Sequence, residues 1–253
     1  MISVKTAHEL EKMRRACRIS ALALQAAGKA IEAGITTADL DKIIYDTILR
    51  HGARPNFKGL YGFPGSACIS INDQVIHGIP SHGVVIRPGD IVSIDTGAAI
   101  DGFNGDNAAT FACGKVDSEA QRLMDVTKES LYRGIAAAVP GNRVGDISAA
   151  VQAWVEQHGF SVVRSYVGHG VGKELHEDPE VPNFGKAGRG PRLVSGMTLA
   201  IEPMVNQGTH VVKSLSDGWT VVTADGGLSA HFEHTVAVTA GGPEILTVAE
   251  EEA

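Results

Sequence analysis

The residues best suited to chemistry fall in two kinds of segment. One is the glycine-rich run Ser165-Tyr-Val-Gly-His-Gly-Val-Gly-Lys-Glu-Leu-His-Glu-Asp-Pro179, which sets His169 and His176 seven positions apart. Its glycines permit torsions and close backbone approaches that a side chain forbids. The other kind is an apolar run that ends on an acid: Ile91-Val-Ser-Ile94 before Asp95, and Leu199-Ala-Ile201 before Glu202. Taken singly, these residues have ordinary readings, a hydrogen-bonded histidine or an aspartate capping a turn. A carboxylate closing a buried run is harder to explain, because burying it ionised and unpaired is costly enough to drive it neutral. Asp106 and Glu233 add two more acids in strand-like segments, and no lysine or arginine lies in the acidic strand motifs. Four such charges crowded together would push several pKa values upward. Two divalent cations would balance them, and a carboxylate-rich site with one imidazole, His169, suits Mn, Fe(II), Co or Zn.

The elements that must position these groups are legible in order. Leu10, Met13, Cys17, Leu24 and Ile31 recur at helical spacing, predicting a helix from about Thr6 to Ala33, with Thr6 and Glu9 as a capping box and Gly34 as its end. A second helix is expected over Thr37 to Arg50, a short strand over Ala67 to Ile71, and a strand over Ile91 to Ile94. Asp101-Gly102 turns the chain into a hairpin that returns through Ala108 to Ala112. A two-residue turn there sets Asp95 opposite Ala108, with Asp106 diagonally across on the same face.

The second half repeats the first. Gly34, Asp39, His51, Gly52, Gly89 and Asp95 recur 107 positions later as Gly141, Asp146, His158, Gly159, Gly196 and Glu202. Asp106 to Gly114 resembles Glu233 to Gly241 at an offset of 127, which implies a 20-residue insertion between the acidic strands of the second half. Its Asp217-Gly218 and Asp225-Gly226-Gly227 turns read as an extra hairpin. The expectation is an α+β fold of two pseudo-symmetric halves, about 1–115 and 116–253, forming one catalytic domain. A single curved antiparallel sheet would carry helices on its outer face.

Composition narrows the function classes. With 253 residues and a net charge of −7, the chain can bury a full core and has no basic block for nucleic acid or anionic membranes. Cys17, Cys68 and Cys113 are dispersed and odd in number, which argues against a disulfide framework and fits a cytoplasmic protein. No run is long and apolar enough to span a membrane.

The motifs Ser-Ile-Asp95-Thr-Gly, Asn-Gly-Asp106, Tyr-Val-Gly-His169-Gly-Val-Gly, Ala-Ile-Glu202-Pro-Met and His-Phe-Glu233-His-Thr, in that order, resemble the methionine aminopeptidases. The resemblance runs from the first helix to about Leu246 and implies the pita-bread fold around a dinuclear metal site. It implies that Asp95 ligates one metal, His169 and Glu202 the other, and that Asp106 and Glu233 bridge both. His77 matches the family's substrate-binding histidine, and His176 the one contacting the scissile carbonyl. With no room for the helical insertion of the type II enzymes and no zinc-binding extension, the chain is similar to the bacterial type I form. Leu175 and Leu60-Tyr61 depart from residues frequent in the family, while Phe63, Cys68 and Trp219 are expected as walls of an apolar pocket. A monovalent cation near Asn72 and Ser229 is implied as well.

The function so implied is hydrolytic removal of an N-terminal methionine from nascent polypeptides near the ribosome by a monomeric enzyme. A water activated between the ions would attack the carbonyl, Glu202 would carry its proton, and a small second residue would be preferred. Alternatives are a proline-directed aminopeptidase, which usually carries a further N-terminal domain, and a metal-free binding protein of the same fold, which would have lost ligands.

Overall fold

A computed structural model describes residues 1–249 of the chain; the last four residues of the expected second half lie outside them. Helix α1 (Ala7–Lys29) opens on the capping box, the Glu9 N–H donating to Thr6 Oγ1 and the Thr6 N–H to the Glu9 carboxylate. It stops at Lys29, short of Ala33: Ala30 caps it, and Gly34, at φ 99°, donates its N–H to the Ile86 carbonyl in the turn beyond. Helix α2 (Thr37–Arg50) has the predicted bounds. Then come β1 (Arg54–Pro55), a 3-10 turn at Leu60–Gly62, β2 (Ala67–Ile71) and β3 (Gln74–Ile76). Strands β4 (Ile91–Ile100) and β5 (Phe103–Ala112) are both longer than the sequence implies. The small residues Gly97, Ala98 and Ala99 blur the alternation, yet the ladder continues to Ile100 facing Phe103 across Asp101-Gly102.

The second half contains α3 (Ser118–Ala136), α4 (Val144–Gln157), β6 (Ser161–Val162), β7 (Gly168–Gly170), β8 (Glu177–Val181) and β9 (Thr198–Ile201). Strands β10 (Met204–Asn206), β11 (Val212–Ser214), β12 (Val221–Thr223) and β13 (Ser229–His231) follow, and β14 (Glu233–Thr239) and β15 (Gly242–Ile245) close the described chain. The repeat is physical. Helix α4 is α2 displaced by 107 residues at both ends, and Gly141, at φ 97°, bonds to Leu193 as Gly34 does to Ile86. The acidic strands differ in register from the expected match. Ile94 faces Ala109 in one ladder and Ile201 faces His234 in the other, so the second strands are related by 125 residues, two fewer than the motif offset. A shift of two keeps both acids on one face, since strand side chains alternate with period two.

Among the described residues, nine strands form the main antiparallel sheet, in the order β1-β4-β5-β14-β9-β7-β8, with β2 also on β4 and β15 also on β14. The strands do not all join it, as the repeat implied: β13-β10-β6 and β11-β12-β3 form two smaller sheets. The latter contains the expected extra hairpin, β11–β12, in the second-half insertion. Val92, Ile94 and Ala98 pack with Leu40, Ile44 and Ile48 of α2, while Ile201 and Val236 pack with Leu123, Leu131 and Ile147 of α3 and α4. The start of α1 also reaches across, Met13 and Cys17 packing with Val171, Ala200 and Ala237.

Candidate active site

Strand register brings the candidate ligand side chains together. Ile94 is buried under the helices of the first half, so its neighbour Asp95 turns the other way. Asp95 faces Ala108 on β5, and Asp106, two residues before Ala108, shares that face. Glu233 faces the same Ala108 from β14. In the second half Ile201 lies in the core under α3 and α4, so Glu202 turns away from it, and His169 faces Ala200 from β7. His169 therefore sits on a strand, not in a turn. Its glycine neighbours serve close approach rather than unusual torsion: a Cβ at Gly168 would lie 2.3 Å from the Ala200 carbonyl oxygen, and one at Gly170 2.3 Å from that of Asp178.

Asp106, His169 and Glu233 each place a ligand atom within 4.8 Å of the other two. His169 Nε2 is 3.7 Å from Asp106 Oδ2 and 3.5 Å from Glu202 Oε1. Glu202 Oε2 is in turn 3.7 Å from His231 Nε2. Asp95 completes the rim of the same cavity. Nδ1 of His169 lies 2.8 Å from the Gly170 carbonyl, which can only accept, so Nδ1 carries the proton and Nε2 presents a lone pair. A lone pair facing carboxylate oxygens is an arrangement that a cation between them would satisfy. Asp95 Oδ1, Asp106 Oδ1 and Glu233 Oε1 are buried without a hydrogen-bond partner among the described residues, a state that buried polar atoms rarely keep. The residues present therefore fit divalent metal: oxygen-rich, one imidazole, no thiolate ligand.

The electrostatics agree. Burial, with repulsion from Asp106 added, raises Asp95 well above the usual carboxylate range, and burial raises Asp106 to about 7. Glu202 and Glu233 rise for the same reasons, burial first and neighbouring acids second. Burial moves the imidazoles oppositely, lowering His169 and His77 to about 4 and His231 to about 3. At neutral pH the rings are neutral, and the site favours either protons on its acids or a cation in their place.

Above this cluster is a cavity of about 500 Å³. Phe63, Cys68 and Trp219, expected as walls, are together, with Phe63 and Trp219 edge to face at 5.0 Å between centroids. Leu175, a departure from the family pattern, packs in the same wall with Phe57. His77 lines the cavity at φ 60°, a conformation uncommon outside glycine, with its ring 5.7 Å from that of Tyr166. His176 stands at the cavity edge, its ring 4.5 Å from that of His169. Asn72 and Ser229 adjoin, the Ser229 N–H donating to the Asn72 carbonyl at 2.9 Å.

Sequence reasoning missed Phe57, Tyr166 and His231. Phe57 and Tyr166 lie in irregular chain, where no periodicity marks a buried face. His231 had a signal, since it lies two residues before Glu233, but β13 and β14 belong to different sheets on either side of Phe232.

The model of metallopeptidase family M24 matches residues 11–240. A methionine aminopeptidase of Clostridium acetobutylicum is 56% identical over 250 residues, covering 99% of this chain and 100% of that protein. Methionine aminopeptidase 1 of Bacillus subtilis is 52% identical, covering 98% and 99%. The crystal structure of methionine aminopeptidase from Thermotoga maritima superposes with a TM-score of 0.96 at 46% identity, covering 98% of this chain and 99% of that one.

Proposed function

The chain belongs to metallopeptidase family M24, within it to the bacterial type I methionine aminopeptidases, and removes amino-terminal methionine by hydrolysis; we propose that it does so at the site formed by Asp95, Asp106, His169, Glu202 and Glu233. Asp95, Asp106, His169, Glu202 and Glu233 would together hold two divalent ions, with Asp106 and Glu233 the most buried of the four acids. Bound there, such ions supply Lewis acidity and lower the pKa of a water.

The chain's own residues supply the rest. Glu202, with one oxygen toward His169 and the other toward His231, takes the proton of the attacking water and returns it to the leaving amine. His176 donates to the carbonyl oxygen as negative charge grows there, and His77 holds the peptide backbone beyond the cleaved bond. Both rings can act as neutral donors, because burial lowers their pKa. Phe63, Cys68, Trp219 and Leu175 enclose the methionine side chain, whose burial contributes about 2 kcal/mol. The substrates are the amino termini of nascent chains, and a monovalent cation beside Asn72 and Ser229 belongs to the same proposal.

What carries this reading is the set of partnerless buried oxygens around the unprotonated Nε2 of His169. Metal-free protein titrated with Mn or Co and assayed on Met-Gly and Xaa-Pro peptides tests it. Methionine release that saturates near two equivalents of metal supports the assignment. Cleavage without added metal, or metal binding unaffected by Asp106→Ala, removes it.

A further inference from the structure

The segment ahead of α1 takes no part in the chemistry above, yet it buries a charge. The Lys5 N–H donates to the Gly196 carbonyl at 2.7 Å, and its ammonium reaches Glu177 Oε2 at 2.6 Å. The two side chains are 3% and 13% exposed, unlike the surface pairs of Arg14 and Lys42. A pair buried so deeply is a weak source of net stability, because desolvation offsets its attraction; what it does is hold geometry. Glu177 follows His176 directly, and its other oxygen accepts from the Glu174 N–H at 3.3 Å. A Cβ on Gly172 would lie 2.4 Å from Glu177 Oε1 and 2.7 Å from Lys5 Nζ, so the pair packs on bare backbone. From the other side Asn104 Nδ2 donates to the carbonyls of Gly172 and Lys173 at 3.1 and 3.0 Å. The turn over 172–176 is gripped from both sides, and the one imidazole it carries is His176.

We propose that Lys5, acting through Glu177, is a positioning residue for His176: the strap before α1 clamps the turn that aims this ring into the active site. The inference rests on the reading that His176 contacts the scissile carbonyl.

The test uses the metal-loaded enzyme with Lys5→Met and with Glu177→Gln, which keeps the shape of the side chain should Lys5→Met fail to fold. Each is made alone and together with His176→Ala. Each single variant is expected to lower kcat about tenfold, since a small misplacement suffices, with KM and metal affinity within about twofold of wild type. In metal-free protein the same variants should shift the ring resonances of His176. In the His176→Ala background they should change kcat by less than about twofold, there being no ring left to aim. Full kcat in Glu177→Gln, or losses that multiply with His176→Ala, overturn the proposal. A wild-type rate for His176→Ala alone instead overturns the role given to His176, and that outcome is read without either partner.

Discussion

The two halves of the molecule make the same start and different ends. In the first, β4 and β5 are joined by Asp101-Gly102 alone, and the hairpin delivers Asp95 and Asp106 with nothing between them but ladder. In the second, β9 and β14 are the counterparts, but β10 to β13 intervene; this segment brings Trp219 to the cavity and sets His231 Nε2 3.7 Å from Glu202 Oε2. The repeated parts hold charge, and the unrepeated part, with the loops before β2 and β8, shapes the space beside it. Duplication explains why acids arrive in pairs, but a pocket for one side chain and one terminus has to be asymmetric.

That division can be broken most severely at the repeated rungs. Asp106→Ala should abolish the metal centre, lowering kcat by roughly a thousandfold or more, while circular dichroism of the metal-free protein stays native. Near wild-type turnover would show that the paired acids are scaffold. His176→Ala, on an unrepeated turn, should cost about a hundredfold in kcat with little change in metal affinity, as loss of one oxyanion donor does. Trp219→Ala should act mainly on KM for methionyl peptides, by about tenfold, because it removes binding made equally in ground and transition states.

Acidity gives a gentler test. In metal-free protein Asp106 holds its proton up to about 7, above an unfolded aspartate. Its folded pKa being the higher, its contribution to stability is full below the unfolded value and is lost as pH rises through about 7. Below about pH 6.5 the buried imidazoles of His77, His169 and His231, whose folded pKa is lowered, oppose this trend. The melting temperature of metal-free protein should therefore fall between about pH 6.5 and about pH 8, and added Mn should raise it more at the higher pH. The smallest effects belong to the helix starts. Asp39 and Asp146 accept from the backbone N–H groups of Thr36 and Arg143, at 3.1 and 2.7 Å. Changing either to Ala should lower the melting temperature slightly and leave kcat alone; a loss of activity from one would mean that the halves are coupled more tightly than their separate cores indicate.

Much of this was readable in advance for a physical reason: it depends on local pattern. The capping box at Thr6, the limits of α2, the turn at Asp101-Gly102 and hence Asp95 opposite Ala108 follow from residues close in the chain. The repeat and the motif resemblance then supplied the acids and His169 as a set. What the tertiary structure alone decided concerns distance across the chain. The division into three sheets, the close approach of β7 to its neighbours, and the meeting of Phe57, Leu175 and Trp219 all depend on packing between segments far apart in sequence. So does the burial of Lys5 against Glu177, 172 residues away, since a lysine before a helix reads as solvated until the fold sets a carboxylate beside it.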